Sequence, residues 1–282
     1  MKVVQTIQEM RSWWETETSK GASIGLVPTM GYLHAGHLSL VAKSKQAMDR
    51  TVVSIFVNPT QFGPNEDFAT YPRDLERDLK LCEEGGVDLV FAPNVEEMYP
   101  NGSNSRIIVG GDLTKKLEGA TRPTHFEGVT TVVGKLFHIV RPHQAFFGQK
   151  DAQQVAVLEA MVRDLNFPVE IVPCPIVRES DGLAMSSRNT YLSPEERVSA
   201  RSLSQAIFTA QKRIEAQCGK PLATEPLIVE MRDIIERAGG RIDYVRIVDP
   251  KTLDPIREIE GPYLILLAVY IGKTRLIDNV RG

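Results

Sequence analysis

Val27-Pro28-Thr29-Met30-Gly31-Tyr32-Leu33-His34-Ala35-Gly36-His37 joins an apolar strand signal, Ser23 to Pro28, to a helical pattern that runs from His37 to Asp49. A strand feeding directly into a helix is the building unit of an α/β sheet, and ligands of such sheets sit outside the carboxyl ends of the strands. The stretch places His34 and His37 at that switch, three residues apart, so that both can face one ligand. A helix N-terminus there offers backbone N–H groups and a positive dipole end to an anion. Gly31 lets the chain turn without a Cβ clash, and Gly36 leaves no side chain between the imidazoles, so a phosphate can approach the backbone. The stretch reads as a phosphate grip. Two plainer readings compete with it, namely that the histidines cap or pack the helix start, or that they hold a metal. With no third Cys, His or carboxylate ligand close by in sequence, zinc has little support.

Outward from this switch the alternation continues. Thr51 to Asn58 (TVVSIFVN) is a near-continuous apolar run of the kind buried on both faces of a parallel sheet. Pro72 to Glu84 is a charged amphipathic helix closed by Gly85-Gly86, and Val87 to Ala92 is the next strand. Glu127 to Val140 reads as helix, Gln144 to Gly148 as a short strand, Asp151 to Leu165 as helix and Glu170 to Val177 as strand. Strands alternating with helices predict α/β architecture, a Rossmann-like parallel sheet, over residues 1–177.

Residues 178–282 have a different rhythm. Ser193-Pro194-Glu195-Glu196 is a capping box with proline at the first helical position, and it starts a helix running to about Gln217. A second helix, Glu225 to Arg237, ends at Gly239-Gly240, and strand signals follow at Ile242 to Val248, Tyr263 to Ile271 and Thr274 to Asp278. Two helices followed by strands predict a smaller α+β C-terminal domain. No internal repeat or low-complexity segment interrupts the chain.

Composition narrows the function classes. The chain has 282 residues, 42% hydrophobic and 24% charged, enough to bury a sizeable core. No segment approaches the roughly 18 apolar residues of a membrane span, and Met1 to Gln8 lacks the apolar core of a signal peptide, so a cytoplasmic protein is expected. Cys82, Cys174 and Cys218 are scattered without metal-ligand spacing and read as small packed thiols. A net charge of −3 with no dense Lys/Arg run argues against nucleic acid as the main partner.

Further polar clusters follow the predicted strands. Asn58-Pro59-Thr60-Gln61-Phe62-Gly63 offers the Gln61 amide, able both to donate and to accept. Phe147-Gly148-Gln149-Lys150-Asp151 delivers Lys150 as a point charge near another helix start, with Gln154 one turn further on. Met185-Ser186-Ser187-Arg188, in a polar loop between the two predicted domains, brings two hydroxyls and a guanidinium suited to phosphate oxygens. Taken singly, Lys150 reads equally well as a solvated surface residue, Asp151 as a helix cap, and Ser186 and Ser187 as loop filler. There is no Gly-x-x-x-x-Gly-Lys-Ser/Thr loop and no Gly-x-Gly-x-x-Gly. A His-x-x-His start with a distant Lys and Ser-Ser-Arg fits instead attack on the α-phosphate of ATP, where fixed cations and N–H donors supply most of the catalysis.

The four motifs VPTMGYLHAGH (27–37), SIFVNPTQFG (54–63), FGQKDAQQ (147–154) and MSSRNTYLS (185–193), in this order and spacing, closely resemble the pantothenate synthetase family, also called pantoate–β-alanine ligases, over nearly the whole chain. A lone His-x-Gly-His would mark only the wider nucleotidyltransferase superfamily, shared with class I aminoacyl-tRNA synthetases. The resemblance implies a Rossmann-like ATP- and pantoate-binding domain over 1–177, a C-terminal lid domain over 178–282, and a homodimer. It assigns Met30, Gly31, Tyr32, Leu33, His34, Ala35, Gly36 and His37 to ATP, with His37 as catalytic proton donor and His34 as its partner on phosphate. Gly148, Gln149, Lys150 and Asp151 would line the nucleotide, with Lys150 on its phosphates. Val177, Met185, Ser186, Ser187 and Arg188 would complete the ATP pocket, the last three bracing pyrophosphate. Gln61 and Gln154 would bind pantoate, and Gln61 would also border β-alanine. Gln149 stands where many relatives carry Glu, a change with little expected effect.

The implied reaction has two steps. The (R)-pantoate carboxylate attacks the α-phosphate of Mg-ATP to give pantoyl adenylate and pyrophosphate, and the β-alanine amine then displaces AMP to give pantothenate. Mg2+ would be held mainly by phosphate oxygens, so no carboxylate cage and no metal-binding residue is expected. Two rivals differ in class: a nucleotidyltransferase joining AMP to a phosphorylated acceptor, and an idle nucleotide-binding module.

Overall fold

The computed structural model describes residues 1–282 apart from Asn65, Ser103 and Cys218. The reading of Cys218 as a packed thiol therefore lies outside the described residues, whereas Cys82 and Cys174 are buried. The strands are β1 (Lys2–Val4), β2 (Ile24–Thr29), β3 (Arg50–Ile55), β4 (Leu89–Phe91), β5 (Gln144–Gly148), β6 (Glu170–Cys174), β7 (Leu222–Ala223), β8 (Arg241–Val248), β9 (Glu258–Ile259), β10 (Leu264–Ile271) and β11 (Thr274–Arg281). The helices are α1 (Ile7–Thr18), α2 (Ala35–Ala47), α3 (Leu75–Glu84), the short α4 (Val95–Met98) and α5 (Glu118–Thr121), then α6 (His125–Val140), α7 (Ala152–Leu165), α8 (Pro194–Ala216) and α9 (Thr224–Arg237).

Two compact units divide the chain: Met1–Gln149 with Gln153–Pro175, and Lys150–Ala152 with Ile176–Gly282. The first is built on a six-stranded parallel sheet of order β1-β4-β3-β2-β5-β6. Strand periodicity explains why it is wound on both faces. Leu26, Val52, Phe91 and Phe147 pack with Val133, Leu136 and Leu158 of α6 and α7, while their neighbours Val27, Val53, Val90 and Phe146 pack with Leu40 and Val41 of α2 and Cys82 of α3. Alternate residues of each strand thus enter one of two cores, as continuous apolar runs in parallel strands require. The reversal of strand order between β3, β2 and β5 puts the β2–α2 turn at the switch point of the sheet.

In the second unit, β8, β10 and β11 form an antiparallel sheet of order β11-β10-β8, and β7 pairs with β9. Leu203 and Ile207 of α8 and Leu227 and Met231 of α9 cover it against Val245, Ile265 and Leu267. The capping box is present: Ser193 Oγ accepts from Glu196 N at 3.1 Å and the Glu196 carboxylate accepts from Ser193 N at 2.9 Å. Among the described residues no helix is long and apolar enough to cross a membrane.

Several element ends differ from the sequence reading. The helix expected from Pro72 starts at Leu75, because Asp74 caps it by accepting from Arg77 N at 3.1 Å. The helix expected from His37 starts two residues earlier, at Ala35, with His34 as its cap. β6 stops at Cys174, short of the expected Val177. β11 continues past Asp278 to Arg281 against β10. β1 and α1 carry no forecast in the sequence.

Candidate active site

The β2–α2 turn is held from outside the motif. Thr29 Oγ1 donates to the Ser54 carbonyl at 2.8 Å and accepts from Gly31 N at 3.2 Å, tying the end of β2 to β3. Gly31 (φ +84°) and Tyr32 (φ +50°) then take left-handed backbone, which turns the chain sharply before the helix. The Asp78 carboxylate of α3, 1% exposed, accepts Tyr32 N and Leu33 N, each at 2.7 Å. Arg77 donates to the Leu33 carbonyl at 2.9 Å and lies over the Tyr32 ring at 5.1 Å.

His34 caps α2 with its ring: Nδ1 accepts from Gly36 N at 3.1 Å. His37 completes a capping box, its Nδ1 accepting from His34 N at 3.3 Å, and the two rings stack with centroids 4.1 Å apart. The capping reading and the ligand reading are thus compatible, because they use different ring nitrogens. With Nδ1 an acceptor in both rings, the proton of each neutral imidazole sits on Nε2. The backbone grip needs correction. The N–H groups of Tyr32, Leu33 and Gly36 are taken by Asp78 and His34 inside the protein, so those amides are not open to an anion.

Met30 and Gln61 are brought together in the same unit, Gln61 Nε2 donating to Met30 Sδ at 3.1 Å. Gln61 sits in a 3₁₀ turn, Pro59–Gln61, capped by Asn58. Asn58 Nδ2 donates to Gln61 Oε1 and to the Gly128 carbonyl, both at 3.1 Å, while Asn58 Oδ1 accepts from Tyr99 Oη at 2.8 Å. Behind the turn, Arg122 pairs with Glu66 and donates to His125 Nε2 at 3.1 Å, which leaves His125 Nδ1–H to donate to the Gln61 carbonyl at 3.0 Å. Burial pushes the His125 imidazole down to about 4, with the Arg122 charge acting in the same direction. Gln154 is half-buried on α7, next to the buried Gln153, which is spent on Glu118 N, the Leu113 carbonyl and the Lys116 carbonyl. Gly148 ends β5 and Gln149 opens the 3₁₀ turn that follows.

The second unit holds Lys150, Asp151, Val177 and Met185 to Arg188. Lys150 Nζ lies 3.8 Å from the Asp151 carboxylate, and its carbonyl accepts from Asn279 Nδ2 at 2.8 Å. Val177 and Met185 are joined through Met185 N and the Val177 carbonyl at 3.0 Å. Ser186 Oγ accepts from Arg188 N at 3.3 Å and caps the 3₁₀ turn Ser187–Tyr191, and Ser187 is buried. Two ion-pair clusters brace this loop. Arg178 binds Asp278 through two bonds at 2.7 and 2.9 Å, and Arg197 binds Asp181 and Glu179, which also accepts from Asn189 Nδ2 at 2.7 Å. Among the described residues, no group of three or more His, Cys, Asp or Glu is placed to hold a metal ion.

A family profile described as Pantoate-beta-alanine ligase matches residues 2–281. The chain belongs to the pantoate–β-alanine ligase family. A pantothenate synthetase of Acetivibrio thermocellus is 58% identical over 280 residues, covering 99% of each chain. The pantothenate synthetase of Thermus thermophilus superposes with a TM-score of 0.93 at 48% identity, over 99% of both chains. A pantoate-beta-alanine ligase from Francisella tularensis, solved in complex with beta-gamma ATP and beta-alanine, gives 0.82 at 35% identity over 99% of this chain and 97% of its own.

This pantoate–β-alanine ligase family member is therefore an enzyme, and its four motifs lie on a doubly wound parallel sheet and a separate α+β unit as the sequence predicts. Four supporting residues escape the sequence reading: Asn58, Asp78, Arg122 and His125. Asn58 lies inside a quoted motif and precedes Pro59, a turn signal that marks it as a cap. Asp78, Arg122 and His125 have no local signature, since each acts on backbone 45 to 64 residues away.

Proposed function

We propose that this chain condenses (R)-pantoate with β-alanine to pantothenate at the expense of ATP, through a bound pantoyl adenylate. The observation that carries the reading is the His34/His37 pair, whose rings cap α2 through Nδ1 and so keep Nε2–H as donors at the switch point of the sheet. In the first step a carboxylate oxygen of pantoate bonds to the α-phosphorus while the bond to the bridging oxygen of pyrophosphate breaks. Negative charge grows on the phosphoryl oxygens, where fixed N–H donors stabilise the transition state more than the ground state. In this reading His37 donates to those oxygens and His34 assists it. Lys150 supplies a point charge on the phosphates, and Ser186, Ser187 and Arg188 receive the departing pyrophosphate. In the second step the amine of β-alanine bonds to the acyl carbon, AMP leaves with the bridging oxygen, and the amine proton is released.

Gln61 is assigned to pantoate and to the border of the β-alanine position, supported by an amide whose orientation Asn58 fixes. Gln154 is the second pantoate amide. Met30 to His37, Gly148 to Asp151, Val177 and Met185 line the nucleotide in the same assignment. Residues 1–177 act as the ATP and pantoate domain, and residues 178–282 as its lid. Mg2+ enters with ATP as part of the substrate, on phosphate oxygens. The Asp78 carboxylate does not fit as its ligand, since both oxygens already accept backbone N–H groups. A homodimer and a cytoplasmic setting, where ATP is supplied, complete the proposal.

The test is a product assay with Mg-ATP, D-pantoate and β-alanine, following pyrophosphate, AMP and pantothenate by mass spectrometry. Stoichiometric AMP and pantothenate over many turnovers, only with all three substrates, support the reading. AMP transfer to a phosphorylated acceptor, or ATP binding without turnover, overturns it.

A further inference from the structure

We propose that Asp78 is the positioning residue of the His34/His37 pair. From α3, outside the motif, it selects the turn conformation that aims both Nε2–H donors. The inference rests on the proposed role of the two histidines but is tested without substrate.

The geometry carries it as follows. Leu33 passes directly into the His34 cap, so the orientation of both rings follows from the backbone of Tyr32 and Leu33. That backbone is not one the local sequence prefers, because Tyr32 has φ +50° and a non-glycine residue rarely holds that region. The compensation comes from Asp78, buried and bidentate on the two successive amides at 2.7 Å each. Arg77, one residue earlier, holds the opposite polarity of the same turn through the Leu33 carbonyl. Burial pushes the Asp78 carboxyl above its ordinary value, and the two amide bonds oppose that push. By occupying those amides, Asp78 also removes them as anion ligands and leaves that role to the imidazoles.

Asp78→Asn is the sharp variant, because its amide keeps the shape but sets an N–H₂ donor against one of the two backbone donors. Long-range ¹H–¹⁵N spectra of the ligand-free protein read the histidine tautomers, with rings assigned through His34→Asn and His37→Asn. In the unmodified protein both rings are expected as the Nε2–H tautomer, whereas His125 is the Nδ1–H tautomer and serves as internal reference. In Asp78→Asn the His34 and His37 signals are expected to become tautomer-averaged, with His125 unchanged and pantoate-dependent pyrophosphate formation about 10²-fold slower. Asp49→Asn is the control for plain destabilisation, since Asp49 likewise accepts a backbone N–H and a hydroxyl, both from Ser23, in the same unit. It is expected to leave the tautomers untouched. Should Asp78→Asn fail to fold by circular dichroism, Arg77→Met releases the Leu33 carbonyl instead and is expected to shift the same signals. Unchanged tautomers in a folded Asp78 or Arg77 variant, or equal changes in Asp49→Asn, overturn the proposal. The predicted spectra with no pantoate-dependent pyrophosphate from the unmodified protein would uphold the clamp and sink the function.

Discussion

His34 and His37 cap one helix together: His34 Nδ1 takes the Gly36 amide, and the His34 amide is taken by His37 Nδ1. Capping therefore uses one edge of each ring, and the proposed phosphate contacts use the other. Asparagine is among the strongest N-caps and has no Nε2–H, so His34→Asn separates the two roles. We expect its unfolding free energy to stay within about 0.5 kcal/mol of the unmodified protein, while His34→Ala loses about 1 kcal/mol. Both variants, and His37→Ala, should form adenylate about 10²- to 10³-fold more slowly in rapid-quench assays.

Gly128 of α6 packs directly on the turn that presents Gln61. A Cβ at this position would lie 2.4 Å from the Thr60 carbonyl oxygen and 2.5 Å from Gln61 Cα. Gly128→Ala has to push the turn away, breaking the Asn58 bonds to the Gly128 carbonyl and Gln61. Its expected signature is a KM for pantoate raised about tenfold or more with ATP affinity little changed, a misplacement effect read by steady-state kinetics.

His125 gives the fold an acid-sensitive point. Its imidazole titrates near 4 in the folded chain against an ordinary 6.5, so between those values the unfolded chain binds more protons. Stability conferred by the buried neutral ring is full above about 6.5 and falls as pH drops towards 4, by about 3 kcal/mol for a shift of this size. His125→Asn keeps a donor for the Gln61 carbonyl and does not titrate. Its urea midpoint should therefore fall less than that of the unmodified protein between pH 7 and pH 4.5. Parallel curves would contradict the assignment.

In the second unit Arg178 and Asp278 form a buried pair with the carboxylate fully enclosed. Burial pushes the Asp278 carboxyl above its ordinary value, and Arg178 opposes it. Arg178→Met strands that carboxylate and should cost about 3–5 kcal/mol, whereas the double change Arg178→Met with Asp278→Leu should recover most of the loss in thermal unfolding. Lys150→Met leaves the pair intact. It should unfold like the unmodified protein and form adenylate at least about 10²-fold more slowly.

Much of this was legible in the chain. The switch from an apolar strand run to helical spacing at Val27 to His37 marked the β2–α2 turn, because apolar continuity in β2 and β3 forces burial on both faces. Ser193-Pro194-Glu195-Glu196 fixed the start of α8, because a capping box is satisfied by residues three apart. What could not be read is long-range in sequence. Asp78 looks like one more charge on an amphipathic helix, yet it is buried on amides 45 and 46 residues earlier. His125 precedes the expected start of its helix at Glu127, because α6 opens without a side-chain cap. The anion-binding amides expected of the turn are consumed by Asp78 and His34, a competition that only the folded backbone reveals.

The most direct measurement uses D-pantoate carrying ¹⁸O in both carboxylate oxygens, turned over with Mg-ATP and β-alanine. Attack on the α-phosphorus predicts one ¹⁸O in the AMP released and one retained in the pantothenate amide. Label in inorganic phosphate with ADP as co-product would mean attack at the γ-phosphorus and would contradict the adenylate account.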